Sequence, residues 1–212
     1  MQKSPLLSFF FLTAGIALAV GCSDPAANKA KADVKEVKTD ATKVATPKGK
    51  PVAFTEENGT VVFVASKASG SEEQGRFEKF KGNFYVEGDV VTGAQVTIDM
   101  NSVTTALPKL TKHLKNGDFF DVPKFPTSTF TTTSIQKKTG DKGETHVVTG
   151  ALTLRGVTKE LTFPATLSKS EKGHSLVAEF AFDRQPFGVA YKGRPDNLIN
   201  DNVVMKLKID AK

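Results

Sequence analysis

From about residue 51 to its end, the chain alternates apolar and polar side chains with a period of two. Successive side chains of a β-strand point to opposite faces of the sheet, so this pattern predicts strands with one apolar and one polar face. Weaker alternation in residues 60–67, 76–87, 127–137 and 145–154 brings the predicted number of strands to about eight. The apolar positions of the clearest strands are Ala94, Val96, Ile98 and Met100; Leu161, Phe163, Ala165 and Leu167; Leu176, Ala178, Phe180 and Phe182; and Val203, Met205, Leu207, Ile209 and Ala211.

Short glycine-containing turns separate the predicted strands at residues 87–89, 139–143, 155–156 and 171–173. Their spacing suggests antiparallel neighbours, as in a β-sandwich or an up-and-down barrel. Long and regular strands favour the barrel, because closing a sheet removes its exposed edges. We therefore expect an all-β, eight-stranded antiparallel barrel. Its interior either encloses a ligand or is filled by its own side chains, and alternation alone does not choose between the two.

A short helix is predicted at residues 107–116, where Leu107, Leu110 and Leu114 fall on one helical face. A proline lies near its start and Gly117 follows its end, as helix boundaries prefer.

A long connection follows at residues 185–201 and contains two prolines and two glycines. Connections of this length in compact domains are usually functional or disordered, and the aromatic residues Phe187 and Tyr191 favour a functional one.

Composition and charge narrow the class of protein. The chain contains 16 Phe, two Tyr and no Trp, so its core or cavity holds few aromatic groups with a polar handle. Residues 1–50 carry a net charge of +4 and residues 51–212 only +2. A nearly neutral folded domain argues against a nucleic-acid-binding face, whereas a basic N-terminal segment fits a negatively charged membrane surface.

The N-terminus has the layout of a secretory signal. Lys3 precedes an apolar run over residues 6–20, which is too short to span a bilayer comfortably. The run ends in Leu-Ala-Val-Gly-Cys22, which resembles a bacterial lipobox, although Ala19 stands where Leu is usual. We expect residues 1–21 to be a lipoprotein signal peptide and Cys22 to be the lipid anchor. The alternative is an ordinary secretory signal with a coincidental cysteine.

Residues 23–50 contain no aromatic residue and are rich in Ala, Lys, Thr and Asp. Such a segment buries too little apolar surface to offset its ordering entropy. We expect residues 22–50 to be a flexible tether with a reach of roughly 30 Å, and residues 51–212 to form the folded domain.

Four strings resemble the YceI-like polyisoprenoid-binding family. They are GRFEKFKG (75–82), HLKNGDFFDVPKFPTSTF (113–130), GALTLRGVTKELTF (150–163) and AFDRQPFGV (181–189). The resemblance implies a lipocalin-like barrel of eight antiparallel strands with a short capping helix, and a long isoprenoid lipid in an apolar tunnel. Many relatives have histidines around the first strand, whereas this chain has Asn58-Gly59-Thr60 and Ala65-Ser66-Lys67-Ala68, which puts a shared head-group contact in doubt.

Residues on the apolar faces of the strands, on the helix and on the long connection are the candidates for lining this tunnel. Without the resemblance, the same side chains would favour a filled core over a lined tunnel. The candidates are Phe63, Phe77, Phe84, Ile98, Leu110, Leu114, Phe119, Phe120, Leu152, Leu154, Phe163, Phe180, Phe182, Phe187, Met205 and Leu207.

Arg155, Arg184 and Arg194 lie near predicted strand ends. They are candidates for holding a diphosphate head group by charge-assisted hydrogen bonds. The alternative is that they pair with Asp183 or Asp196.

Other polar residues suggest no catalytic chemistry. Asp118 and Asp121 flank a Phe pair and are best read as capping or turn residues. His113, His146 and His174 lack metal-ligand spacing. We find no nucleophile–base pair and no phosphate-binding glycine loop, and expect neither a catalytic residue, a metal site nor a cofactor.

The sequence therefore predicts a non-enzymatic protein that binds or carries an isoprenoid lipid of the polyprenyl diphosphate or quinone type. We expect it in the bacterial cell envelope, anchored through Cys22 and facing the periplasm. Ser23 in place of Asp favours the outer membrane in a Gram-negative cell. The alternative is a structural or adaptor barrel with a filled core that contacts another envelope protein.

Overall fold

The computed structural model describes residues 24–37 and 45–212. Cys22 and the predicted signal peptide lie outside these residues. Within the described ranges, no helix combines the length and the apolar character needed to cross a membrane.

Strands account for most of the described chain. The described ranges contain one α-helix, α1 (Pro108–Leu114), and short 3₁₀ turns at Glu56–Asn58, Met100–Ser102 and Gln185–Phe187. The strands are β1 (Ala30–Lys31), β2 (Asp33–Lys35), β3 (Lys50–Thr55), β4 (Gly59–Ser66), β5 (Glu72–Phe77), β6 (Phe80–Glu87), β7 (Val90–Asp99), β8 (Val103–Thr105), β9 (Thr127–Lys137), β10 (His146–Leu154), β11 (Val157–Ser170), β12 (Gly173–Asp183), β13 (Gly193–Arg194), β14 (Asn197–Leu198) and β15 (Asn202–Ala211).

One curled sheet forms the barrel, with neighbours in the order β3-β6-β7-β9-β10-β11-β12-β15-β4-β5-β8. All of these neighbours pair antiparallel. The 3₁₀ turn at Glu56–Asn58 carries β3 into β4, and the turn at Met100–Ser102 carries β7 into β8. Each such pair is a long strand that bends as it passes from one side of the barrel to the other.

The expected fold class, an antiparallel lipocalin-like barrel with one short helix, is confirmed. The strand count exceeds the predicted eight because bends at residues 56–58, 78–79 and 100–102 divide three long strands into two, and because β1, β2, β13 and β14 are additional short strands. Alternation continues across such a bend, so the sequence pattern does not reveal it.

The turn between β10 and β11 shows how local sequence fixes the strand register. Leu154 pairs with Val157, which leaves Arg155 and Gly156 as a two-residue loop. Both have positive φ, 50° and 73°, as the tight hairpin turns that suit the twist of β-strands require. Glycine adopts this conformation without steric cost, and the arginine is held in it by contacts described below.

Helix α1 is shorter than predicted. It begins at Pro108 and ends at Leu114, which is buried. Leu107 precedes the helix and is 50% exposed, so its assignment to the buried helical face is wrong. The helix lies at the end of the barrel where β4, β10 and β12 finish, which we call the α1 end.

The N-terminal segment, defined here as residues 24–36, differs from the predicted flexible tether. β1 pairs in parallel with Phe180 and Ala181 of β12, and β2 pairs antiparallel with residues 160–162 of β11. The backbone N–H of Ala32 donates to the carbonyl of Ala181 at 2.7 Å. The tether prediction is therefore wrong for this part of residues 22–50.

The reason lies in the sheet itself. β11 and β12 pair with each other only over residues 166–170 and 173–177. Over residues 157–165 and 178–183, all of them described, the two strands do not pair, and the N-terminal segment runs between them. We call this stretch the seam. Its exposed strand edges supply hydrogen-bond partners that a polar segment can use without a large apolar face of its own.

Candidate apolar cavity

The interior of the barrel is open. A cavity of about 200 Å³ runs through it. This is many times the roughly 10–15 Å³ that a single buried water needs. The barrel therefore does not have a core that is filled from end to end.

Fourteen of the 16 side chains predicted to line a tunnel do line this cavity. Period-two alternation places them there, because each strand turns the same face inward along its whole length. They are Phe63, Phe77, Phe84, Ile98, Leu114, Phe119, Phe120, Leu152, Leu154, Phe163, Phe180, Phe182, Met205 and Leu207.

Two predicted lining residues do not reach the cavity. Leu110 is half-buried on α1 and packs against the outside of the core cluster. Phe187 is fully buried at 0% exposure and packs edge-on against Phe182, with ring centroids 5.7 Å apart. Phe187 therefore fixes the 184–201 connection behind the cavity wall.

Several lining residues were missing from the predicted site. Some of them, such as Val96 and Met100, had been identified as apolar strand positions but not as site residues. Phe54 lies on β3, at the edge of the alternating region, and Phe130 lies on β9 among threonines that mask the alternation. Other lining residues of this kind are Val61, Ala94, Ile135, Val148, Leu161, Leu167, Leu176, Val189, Ile199, Val203 and Ile209.

The cavity offers no unpaired polar group to a ligand. Among the described residues that line it, only Ser128, Thr132 and Arg184 carry polar side-chain atoms. The Ser128 hydroxyl donates to the carbonyl of Thr153 at 2.7 Å, and the Thr132 hydroxyl accepts from the N–H of Ala94 at 2.8 Å. An occupant of this interior must therefore be apolar along the length it buries, since a polar group there would lose its hydrogen bonds with water.

Arg184 is 3% exposed and fastens the 184–201 connection to the barrel. Its guanidinium donates to the carbonyls of Asn200 at 3.2 Å and Ile199 at 3.3 Å, and to that of Val189. It also lies 3.5 Å from a carboxylate oxygen of Asp201. Burial lowers the pKa of Arg184 from its ordinary value, although Asp201 opposes that shift.

The other two candidate head-group arginines lie in different settings. Arg155 donates to the carbonyls of Gly188 and Gly117, and thereby ties the β10–β11 turn to the 184–201 connection and to the residues that follow α1. Arg194 is exposed on the small β13–β14 hairpin. The structure thus does not bring the three arginines together into one shared contact, and two of them bind backbone carbonyls.

Aromatic rings close the cavity at the α1 end. Phe120 lies 6.0 Å from Phe77 and 6.5 Å from Phe63, measured between ring centroids. Phe119 lies 5.2 Å from Tyr191 of the long connection and 5.0 Å from His113 of α1. Helix and connection therefore meet over the cavity through these rings.

Acidic residues near the Phe pair have structural contacts. Asp118 accepts from the ring of His113 at 2.7 Å, and Asp121 pairs with Lys124 at 3.1 Å.

Burial lowers the pKa of His146, with a smaller effect from Lys137. Within residues 24–37 and 45–212, no group of three or more His, Cys, Asp or Glu side chains is placed to hold a metal ion.

The seam is part of the cavity wall. Phe163 of β11 and Phe180 of β12 both line the cavity, and both belong to the stretches of these strands that do not pair with each other in the described structure. Ala32 and Val34 of the N-terminal segment pack against the core cluster. The segment thus completes the wall where β11 and β12 do not pair with each other, and its loss would open the cavity at the side of the barrel.

An outward-facing apolar patch receives the first part of the N-terminal segment. Ala26 is 2% exposed and forms a separate buried cluster with Val64, Ala181 and Val204. These three barrel residues interrupt the polar outer faces of β4, β12 and β15. Apolar residues on the outer face of three neighbouring strands were the available sequence signal that something covers this wall.

A curled antiparallel sheet around an apolar cavity defines a lipocalin-like barrel whose interior has room for a ligand. Residues 52–211 match the YceI-like domain. The chain therefore belongs to the YceI-like family, and its N-terminal segment precedes the part that the family shares.

Named relatives share a shorter stretch. The chain is 43% identical over 95 residues to Protein YceI of Salmonella arizonae and to a UPF0312 protein of Pseudomonas aeruginosa. That stretch is 44% of this chain and 48% of each relative, so the match spans about half their length.

Two solved structures share the fold. BcnA of Burkholderia cenocepacia superposes with a TM-score of 0.65 at 22% identity, covering 75% of this chain and 99% of BcnA. A polyisoprenoid binding domain from Saccharophagus degradans superposes with a TM-score of 0.61 at 17% identity, covering 77% of this chain and all of that domain.

Proposed function

We propose that this protein binds a long isoprenoid lipid, of the polyprenyl diphosphate or quinone type, inside its barrel. The observation that carries the proposal is the open cavity whose few polar lining groups are already hydrogen-bonded within the protein. The polyisoprenoid binding domain with the same fold supports the choice of ligand class. The open interior argues against the alternative of a scaffold with a filled core.

The energetics suit a carrier. Burying apolar surface contributes about 25 cal/mol per Å², so a long hydrocarbon chain gains ample affinity without any specific polar contact. Selectivity then depends on chain length and shape. The proposed role is non-catalytic, and no cofactor takes part in it.

Native mass spectrometry tests this proposal on the protein purified from cells and on delipidated protein incubated with a polyprenyl diphosphate or a quinone. We expect one bound lipid per chain. Ala65 and Leu207 are half-buried and line the cavity, so Ala65→Phe and Leu207→Phe should fill it and reduce uptake. Ala53 is exposed on β3, and Ala53→Phe is the matched control.

Folded wild-type protein that takes up no apolar molecule would refute the proposal. Uptake that is equal in the wild type, both filled variants and the control would place the ligand outside the cavity, and would refute it as well.

We further propose that the protein resides in the bacterial cell envelope, anchored by a lipidated Cys22 and facing the periplasm, with the outer membrane as its place in a Gram-negative cell. The lipobox-like string before Cys22 supports this location. Incorporation of labelled fatty acid into the wild type but not into Cys22→Ser tests the anchor. Equal labelling of both would contradict it.

A further inference from the structure

The two ends of the barrel differ in charge. The connections at the α1 end are residues 67–71, 106–126, 155–156 and 184–201. They carry nine Lys or Arg and four Asp, a net charge of +5.

The connections at the opposite end are residues 88–89, 138–145 and 171–172. They carry three Lys and four Asp or Glu, a net charge of −1. The asymmetry gives the α1 end an attraction for anionic surfaces that the other end lacks.

The α1 end also exposes two leucines. Leu107, just before α1, is 50% exposed, and Leu198, on the β13–β14 hairpin, is 46% exposed. Their two connections meet where the His113 and Tyr191 rings lie 5.2 Å apart. Val90 is 62% exposed at the opposite end, but it follows the acidic Asp89. Only the α1 end therefore combines exposed leucines with surrounding cations in the described structure.

The chain reaches the barrel at this same end. The hydroxyl of Ser66, at the end of β4, donates to the carboxylate of Asp24 at 3.0 Å and accepts from the amide of Asn200 at 2.8 Å. Ala26, two residues later, is buried on the barrel wall. The N-terminal segment is thus held beside the α1 end from its first described residue.

This attachment limits where a lipid on Cys22 can be. Two residues of fully extended chain span at most about 7 Å, so Cys22 lies within that distance of Asp24. A lipid anchor at this position leaves no long flexible linker between the bilayer and the barrel. It therefore holds the α1 end close to the bilayer.

We propose that the α1 end is a membrane-docking face for anionic phospholipid head groups. Leu107 and Leu198 enter the head-group region, and the exposed cations Lys109, Lys112, Lys192 and Arg194 contact lipid phosphates. The proposal rests on the lipid-anchor part of the proposed function. Docking sets the cavity end lined by Phe119 and Phe120 towards the membrane, from which an apolar ligand would come.

Site-directed fluorescence on the full-length lipidated protein tests the orientation. Cys22 is the only native cysteine and is occupied by lipid, so Leu107→Cys, Leu198→Cys and Val90→Cys each offer one site for a fluorophore. The protein is reconstituted in phosphatidylcholine vesicles with or without phosphatidylglycerol, and a quencher is attached to the lipid head groups. We expect quenching at 107 and 198 to exceed quenching at 90 by roughly three-fold or more, because docked apolar groups enter the head-group boundary.

Charge-reversal variants provide a matched control. Lys112→Glu with Arg194→Glu should abolish the difference in quenching and its dependence on phosphatidylglycerol. Lys138→Glu with Lys172→Glu, at the opposite end, should leave both unchanged.

Equal quenching at all three positions, or stronger quenching at Val90→Cys, would overturn the proposal, and so would a full-length protein that does not associate with vesicles. Lipid uptake is measured separately by mass spectrometry. A preferred orientation without uptake would therefore refute isoprenoid binding alone, and uptake without a preferred orientation would refute docking alone.

Discussion

Phe163 and Phe180 stack across the seam, with ring centroids 4.3 Å apart and planes inclined by 17°. The strands that carry them do not pair with each other at these residues in the described structure, so the stacked rings contribute the direct side-chain contact on the cavity side. The N-terminal segment fills the gap between the two strand backbones. The wall at the seam is therefore held by stacked aromatic rings on the cavity side and by the backbone hydrogen bonds of β1 and β2.

Alanine substitutions of Phe163 and Phe187 distinguish a side chain that lines the cavity from one that is packed on all sides. Phe163→Ala should lower the free energy of unfolding by about 1–3 kcal/mol, because one side of the ring already faces open space, and it should alter lipid uptake. Phe187→Ala removes a ring buried on all sides and should cost about 3–5 kcal/mol. Chemical denaturation gives both values, and native mass spectrometry gives the uptake.

Phe163→Ala should therefore lose less unfolding free energy than Phe187→Ala. Equal losses of stability, with lipid uptake unaffected in Phe163→Ala, would mean that Phe163 behaves as a residue of a filled core.

Replacing Ala32 by Pro should release the N-terminal segment from the seam. Proline removes the N–H that donates to the carbonyl of Ala181. We expect faster hydrogen exchange at residues 160–162 and 180–181 and faster loss of bound lipid. Ala32→Gly keeps the N–H and should stay close to the wild type, and unchanged exchange in Ala32→Pro would show that the segment does not hold the seam.

Acid should also loosen this segment. Burial opposes ionisation of Glu179, but hydrogen bonds and charges from Lys29 and Lys206 outweigh it and lower its pKa below the ordinary 4.5. A carboxyl with a lowered pKa contributes stability above its unfolded pKa and loses it as the pH falls through the folded pKa. Protection of residues 24–36 from hydrogen exchange, expressed relative to the intrinsic exchange rate at each pH, should therefore fall below about pH 4.5, and Glu179→Gln should weaken that fall.

Arg184 should prove structural. Arg184→Met leaves several buried carbonyls of the 184–201 connection without their donor, and we expect a loss of about 2–4 kcal/mol in unfolding free energy together with faster proteolysis of that connection. Arg194→Met changes an exposed side chain and should alter stability by less than about 0.5 kcal/mol. Native stability in Arg184→Met would leave its guanidinium available for a head-group role.

Alternation predicted the barrel and most of its lining because it reflects the geometry that builds the cavity. Every second residue of β11, β12 and β15 faces inward, so the strand pattern and the site pattern coincide. Phe187 does not line the cavity because it lies in a 3₁₀ turn, where the path of the loop and not the alternation of the sheet sets the side-chain direction.

The N-terminal segment could not be predicted in the same way. Residues 30–35 have no period of their own and gain their structure from backbone hydrogen bonds to strands far along the chain. Composition indicates how much apolar surface a segment can bury by itself. It does not indicate which unpaired strand edges in the rest of the fold can pair with that segment. Only Val64, Ala181 and Val204, apolar on an outer face, hinted at a covering element.

The N-terminal segment pairs with strands that lie far along the chain. Ala32 and Ala181, whose backbones are hydrogen-bonded, are about 150 residues apart in sequence. Contacts between such distant positions form late, because the entropy of closing the intervening loop must be overcome first. The seam between β11 and β12 should thus close late in folding. An apolar ligand would be able to enter the cavity through this gap before the N-terminal segment closes it.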